Sequence, residues 1–376
     1  MEVRTARGRL FLFLFIIILL PFLEYQLGFI ESGKLNGAVT IAPNVKPTWK
    51  SWWDGTYQHQ KSNHLNDSFG FRPDFVRLNN QISFWLFKKA YANSVVVGSD
   101  NYLYEEPYIK EYFGMDFMGD SLIRSELVKL KKLQDTFQKL GKTFILVYAP
   151  SKAYYFPNHF PSRYHKENTS NYTTYTRIGD SLGINQIDFN GWFVKMKPRY
   201  GQFLFTRGGT HWTTYGSLLA ADSFIRYIER ARKINMPYIT WSKIEYSNDP
   251  RNQDGDILRG LNLIFPMKER YCYPDIGYTN GSTRPKAIYI GDSFVWTFVS
   301  DGVMKNTNTD WEFWYYFGDV WNQGAIDGKN SDYSLGDYDW ANSLLHTDCI
   351  VLLYSESNFP ILNNYIDRIY KQFLLK

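Results

Sequence analysis

The chain has 376 residues, 44% of them hydrophobic and 21% charged, and a net charge of +5. This length leaves room for one large domain with a sizeable core or for two small ones. The positive charge is spread along the chain and forms no basic stripe, which argues against nucleic acid as a partner. The two cysteines, Cys272 and Cys349, have neither zinc-site nor CxxC spacing; they read as one disulfide or as two buried thiols, and no metal or cofactor is expected. Twelve Trp, 29 Tyr and 28 Phe read mainly as core, with sugar stacking as their other use.

Arg4, Arg7 and Arg9 precede an apolar run over residues 10–23, which continues to residue 30 with Glu24 as its only charge. A helix over residues 10–30 would reach roughly 30 Å, the thickness of a bilayer's hydrocarbon core. No convincing small-x-small cleavage site follows, residues 36–38 being the nearest approach, so residues 1–30 read as an uncleaved signal anchor rather than a signal peptide. The arginines hold the N-terminus in the cytoplasm and place the rest outside the inner (cytoplasmic) membrane, in the periplasm. That location excludes ATP and free acetyl-coenzyme A as ready direct substrates.

Residues 31–62, rich in Gly, Pro, Asn, Lys and Trp, read as a linker, and residues 63–376 as the domain proper. Residues 94–97 (SVVV) and 100–104 (DNYLY) suggest a strand and turn at the domain entrance. Apolar residues at Leu127, Leu130, Leu133, Phe137 and Leu140 predict an amphipathic helix over 121–140, capped by Ser121. Residues 143–148 (TFILVY) read as a buried strand, 214–233 as a second helix, and 286–290 (KAIYI) and 349–354 (CIVLLY) as further buried strands. Fully apolar strands alternating with helices imply an α/β fold: a parallel sheet with helices on both faces.

In such a sheet, reactive groups sit beyond the carboxyl ends of the strands, where Gly291-Asp292-Ser293 follows KAIYI. Gly291 permits a sharp turn, Ser293 is presented as a nucleophile, and N–H groups at the next helix start can receive an oxyanion. By itself the tripeptide is also an ordinary turn. Of six histidines, His211 stands out as the base, because it lies in a glycine-rich loop, TRGGTHWT, at the start of a helix. Asp292 reads as bonding its own turn. Asp254 and Asp256, in DGDIL, lack further ligands at EF-hand spacing and read as a solvated loop or a helix cap. Asp67 and Arg72 read as a structural pair, and Asn358 as an oxyanion donor or a turn before Pro360.

Taken in order, NDSFGFR at 66–72 with Leu78-Asn79, VGSD to Tyr104, Thr210-His211-Trp212, IGDSF at 290–294 and LYSESN at 353–358 resemble the SGNH-hydrolase-like acetyltransferases of alginate O-acetylation. These are the AlgX and AlgJ group, with the teichoic-acid protein DltD a more distant relative. The histidine motif precedes the serine motif, as in the circularly permuted order of that group. The resemblance implies a flavodoxin-like SGNH fold and a serine acyl-enzyme with histidine as base. It also implies a polysaccharide substrate and a membrane-bound O-acyltransferase as the acetyl-donor partner. A carboxylate two residues before the histidine would orient it, but Gly209 stands there. Asp188, Asp254, Asp256 or Glu356 replaces it in space, or a backbone carbonyl leaves a Ser-His dyad. The expected function is extracytoplasmic O-acetyl transfer to a polysaccharide. The alternatives are an esterase using the same pair, or a polysaccharide-binding or assembly protein with a decayed site.

Overall fold

The computed structural model describes residues 2–37, 39–165, 169–328 and 333–375, which divide into two compact units. The first comprises Met1–Ala92 and Leu258–Pro266. It contains α1 (Glu2–Leu27), α2 (Trp49–Trp53), α3 (Thr56–Ser68) and α4 (Arg72–Phe87). Within α1, Ala6–Leu27 is long and apolar enough to cross a membrane. The stretch expected as linker therefore carries two helices, α2 and most of α3. Arg72 and Asp67 do approach each other, at 3.6 Å.

The second unit, Asn93–Ile257 with Met267–Lys376, opens on the antiparallel pair β1 (Val95–Val97) and β2 (Leu103–Glu105). The central sheet takes β3 (Thr143–Tyr148) and β4 (Gln186–Asp188), and later β7 (Ala287–Gly291), β8 (Trp311–Tyr315), β9 (Asp319–Trp321), β10 (Tyr333–Ser334) and β11 (Cys349–Tyr354). Its strand order is β10-β9-β8-β7-β11-β3-β4. The three apolar runs expected as buried strands lie side by side in parallel, with β7 and β3 flanking β11. The sheet is mixed rather than wholly parallel, because β9, next to one edge, runs antiparallel to both its neighbours, β8 and β10. A separate ribbon joins β5 (Ile239–Ser247) to β6 (Tyr271–Tyr278), and the helices of this unit include α5 (Glu106–Tyr112), α7 (Lys152–Tyr155) and α8 (Asn171–Leu182).

Side chains alternate across each strand, and both faces of this sheet are buried. On one face Phe144, Leu146, Ile350 and Leu352 pack with Leu127, Leu130 and Phe137 of α6 (Asp120–Lys139) and with the C-terminal helix Phe359–Leu374. On the other, Ile145, Val147, Val351 and Leu353 pack with α9 (Phe189–Tyr200) and α10 (Thr214–Arg232). α6 begins after Gly119, in a conformation with φ 89°, so Ser121 is inside the helix instead of capping it. Both cysteines are free and buried. The result is an α/β fold in which β7 and β11 deliver their carboxyl ends to a common edge.

Candidate active site

β7 ends at Gly291, directly opposite Leu353 of β11. A Cβ at Gly291 would lie 2.5 Å from the Leu353 carbonyl oxygen and 2.6 Å from Val295 Cγ2, so only glycine lets the chain turn this close to its neighbour. Asp292 then points inward and is fully buried. Its Oδ1 accepts from Phe294 N–H at 3.0 Å, and its Oδ2 accepts from Ser355 N–H and Ser355 Oγ, both at 2.7 Å, and from Asn358 Nδ2 at 2.8 Å. With the turn locked from beneath, Ser293 projects the other way at the start of the helix Val295–Ser300.

His211 reaches this serine from a loop fixed at several points. Its neighbour Trp212 is buried, donates Nε1–H to Thr297 Oγ1 at 2.5 Å and stacks on Phe298 at 5.3 Å between centroids. The loop is thereby riveted to the helix that follows Ser293. Thr213 caps α10 by accepting from Gly216 N–H at 2.9 Å. Glu269 accepts from the N–H groups of Arg207 and Gly208 at 2.7 and 3.1 Å. From below, the buried Lys152 ammonium donates to the carbonyls of Leu103, Arg207 and Gly209 at 2.5, 2.6 and 2.8 Å. Burial pushes this amine down to about 7, against the pull of Glu269 and Asp256.

The structure brings the two expected residues together: His211 Nε2 lies 2.7 Å from Ser293 Oγ. On the other side of the ring, Nδ1 lies 2.5 Å from Asp256 Oδ2. Asp256 Oδ1 accepts from Thr210 N–H at 2.8 Å and from Ile257 N–H at 2.7 Å, so the carboxylate is oriented before it meets the imidazole. Burial alone would lower the His211 pKa; the Asp256 charge and its hydrogen bond outweigh this and raise it. For Asp256 burial acts upward, yet the imidazole charge and three hydrogen bonds hold it below its ordinary value. A carboxylate that fixes Nδ1 as donor leaves Nε2 as acceptor toward the serine, the arrangement that makes a hydroxyl nucleophilic.

The gap left by Gly209 is thus filled by Asp256, and Gly209 has its own reason to be glycine. A Cβ there would lie 2.8 Å from the Asp254 carbonyl oxygen and 3.0 Å from Thr206 Oγ1. The 254–256 segment is not a solvated loop: Asp254 is buried and accepts from Thr214 N–H at 2.7 Å. The other residues proposed for orienting or oxyanion roles are engaged elsewhere. Asp188 accepts from Gly191 N–H at 2.8 Å, capping α9, and from Tyr172 OH at 2.7 Å. Glu356 accepts from Tyr172 N–H at 2.7 Å. Asn358 spends its amide hydrogens on Asp292 and on Ser355 Oγ, the latter at 3.1 Å, and so braces the turn beneath the serine instead of facing a substrate.

Three residues of this site carry no motif. Lys152 lies four residues past β3 and is chemically silent in the sequence. Tyr316, at φ 46°, follows β8; burial and the Asp292 charge raise its hydroxyl while the Ser293 and Asn358 side chains draw it down, which puts it in the neighbourhood of the serine. Glu105, at the end of β2, is raised by burial and the Asp256 charge, while His211 and Lys152 draw it down, which puts its carboxyl within electrostatic reach of the His211–Asp256 pair. The resemblance quoted VGSD to Tyr104, one residue short of it. Among the described residues, no cluster of His, Cys, Asp and Glu is suited to a metal ion.

A partly buried Ser293–His211–Asp256 chain thus lies at the carboxyl edge of an α/β sheet covered on both faces. Residues 95–264 match the family described as SGNH hydrolase-like domain, acetyltransferase AlgX. That segment includes Lys152, His211 and Asp256 and stops short of Ser293. No curated protein matches the chain. Among solved structures, the chain is similar to the O-acetyltransferase domain of Pseudomonas putida AlgJ at 16% identity and TM-score 0.48, over 75% of this chain and 100% of that one. Bacillus cereus PatB1 is similar at 12% identity and TM-score 0.42, over 71% and 97%. Pseudomonas aeruginosa AlgX is similar at 12% identity and TM-score 0.42, over 72% and 66%.

Proposed function

We propose that this protein is an extracytoplasmic O-acetyltransferase that acetylates hydroxyls of a cell-surface or exported polysaccharide through an acyl-enzyme on Ser293. The observation that carries the proposal is the continuous chain Ser293 Oγ, His211, Asp256, with separations of 2.7 and 2.5 Å. His211 Nε2 takes the serine proton as Oγ attacks the donor acetyl carbonyl, then hands it to the departing donor group. A sugar hydroxyl next attacks the acetyl-serine; His211 accepts its proton and returns it to Ser293 Oγ as the ester leaves. Asp256 stabilises the imidazolium in each half-reaction. The Ser293 N–H and the Tyr316 hydroxyl are the donors offered to a developing oxyanion, since the N–H groups of Asp292, Phe294 and Val295 are bonded to the Leu353 carbonyl, Asp292 Oδ1 and the Asp292 carbonyl.

In this reading residues 1–30 anchor the chain in the inner membrane, residues 31–62 connect to the acyltransferase region at 63–376, and that region faces the periplasm. The donor partner is a membrane-bound O-acyltransferase. Incubation with an activated acetyl ester, with and without polysaccharide, tests the proposal: a transferase labels the polymer in preference to water. Acetate release that is indifferent to polymer makes the protein an esterase, and glycan binding without serine acylation makes it a binding protein.

A further inference from the structure

The helix α4 is built inside out for a protein in water. Three of its four buried residues are polar: Asn80, Gln81 and Ser83 are 6%, 2% and 6% exposed, with Phe84 the apolar one. Asn80 Nδ2 donates to the Leu261 carbonyl at 2.8 Å, and Gln81 Oε1 accepts from Phe265 N–H at 2.8 Å. The outward face carries Phe75, Leu78, Ile82, Trp85 and Leu86, spaced as one helical stripe, with Trp85 and Leu86 at 54% and 71%. Phe265 lies flat on Trp85, 5.8 Å between centroids with planes 4° apart, and is itself exposed, so it widens the stripe. A water-facing helix shows the opposite distribution, and a contiguous exposed patch of this kind marks an interaction surface.

What covers it is indicated by where α4 starts. The turn between α3 and α4 packs on the last turns of α1. A Cβ at Gly70 would lie 2.3 Å from the Pro21 carbonyl oxygen, Tyr25 OH is 3.4 Å from His64 Nε2, and Phe29 meets Phe71 edge-on at 6.1 Å. Pro21 lies inside the candidate span Ala6–Leu27, and Glu24 marks where it becomes polar. Phe69 and Phe75, stacked at 6.2 Å, are both exposed beside this turn and share its depth. From Phe75 to Leu86 the stripe runs about 16 Å along the helix.

We infer that α4 is a second membrane contact, an interfacial helix whose apolar stripe seats in the headgroup–acyl boundary of the bilayer that α1 crosses. The inference rests on reading α1 as an anchor. Exposed Trp49 and Trp53 in the same unit suit the same boundary. The arrangement holds the first unit flat on the membrane instead of leaving it on a loose tether.

The test uses the full chain in phosphatidylethanolamine–phosphatidylglycerol vesicles, with nitroxide labels on Leu78→Cys, Ile82→Cys and Leu86→Cys. These positions are exposed, so labelling leaves the core intact, and both native thiols are buried. Ile16→Cys reports on α1, and Lys195→Cys on an exposed polar site of the other unit. The expected result is that the three α4 labels collide several-fold more with oxygen, relative to a water-soluble nickel chelate, than the Lys195 label does. Labels in α4 that match Lys195 overturn the inference, as do labels shielded from both reagents, which indicate a protein cover. Lipid contact at Ile16 with water at α4 sinks this inference alone; water at Ile16 sinks the anchor reading itself.

Discussion

Replacing Asp256 with asparagine separates orientation of the imidazole from everything else the site does. Asp256 accepts three hydrogen bonds, two of them from the backbone N–H groups of Thr210 and Ile257. Asparagine keeps its oxygen for those two donors, which turns its NH₂ toward His211 Nδ1. Nδ1 must then accept, the ring proton moves to Nε2, and Nε2 loses the lone pair that receives the Ser293 proton. Because a protonation state is lost and packing is kept, turnover should fall on the order of 10³- to 10⁴-fold, about 4–5.5 kcal/mol of barrier, with little change in melting temperature. The assay is hydrolysis of a chromogenic acetyl ester across pH. The wild-type rate should climb with pH through a histidine titration displaced upward by the Asp256 charge, because the base works only when neutral. Asp254→Asn is the control: Asp254 binds Thr214 N–H and does not touch His211, so its loss should stay within about tenfold. If Asp256→Asn keeps a tenth or more of the activity, or if Asp254→Asn is the more damaging, the assignment of Asp256 is wrong.

Gly209→Asp should not restore a missing carboxylate but should reduce activity and stability, since its Cβ would press on the Asp254 carbonyl at 2.8 Å; a more active variant contradicts the geometry. Lys152→Met removes the cradle of three carbonyls under the histidine loop and should lower kcat on the order of 10- to 100-fold with KM nearly unchanged, whereas an unaltered kcat means the loop stands without it. Burial lifts Asp254 to about 6, Asp301 to about 7 and Glu356 to about 8, and His211 is also raised. Each contributes stability that is complete below its unfolded pKa and is lost as pH rises through its folded one. Lys152, depressed to about 7, has the opposite sign, and only above that pH. The melting temperature should therefore fall between about pH 5 and pH 8, and a rise across that window contradicts the burial of these acids.

The sheet is legible because β3, β7 and β11 are buried on both faces and so are written as unbroken apolar runs. The β5–β6 ribbon is not, because β5 exposes Lys243 and Glu245 and looks like surface. The Ser293–His211 pairing is legible because each sits beside a glycine at a chain turn and Trp212 marks the loop as buried. The orienting carboxylate is visible only as one of several candidates. A carboxylate fills the same space from two residues before the histidine or from forty-five residues after it, and local sequence carries no trace of which. Lys152 and Tyr316 escape notice for the same reason, since their neighbours are backbone carbonyls and a serine far away in the chain. The inverted polarity of α4 is present in the sequence as an amphipathic stripe; only the fold reveals which side faces out.

The most direct test of the account is the mass of the intact protein, followed by peptide mapping, after brief exposure to an activated acetyl ester. The account predicts a gain of one acetyl group on the peptide bearing Ser293, strongly reduced in His211→Ala and absent from Ser293→Ala. No gain in the wild type, or equal labelling of the wild type and Ser293→Ala, contradicts it.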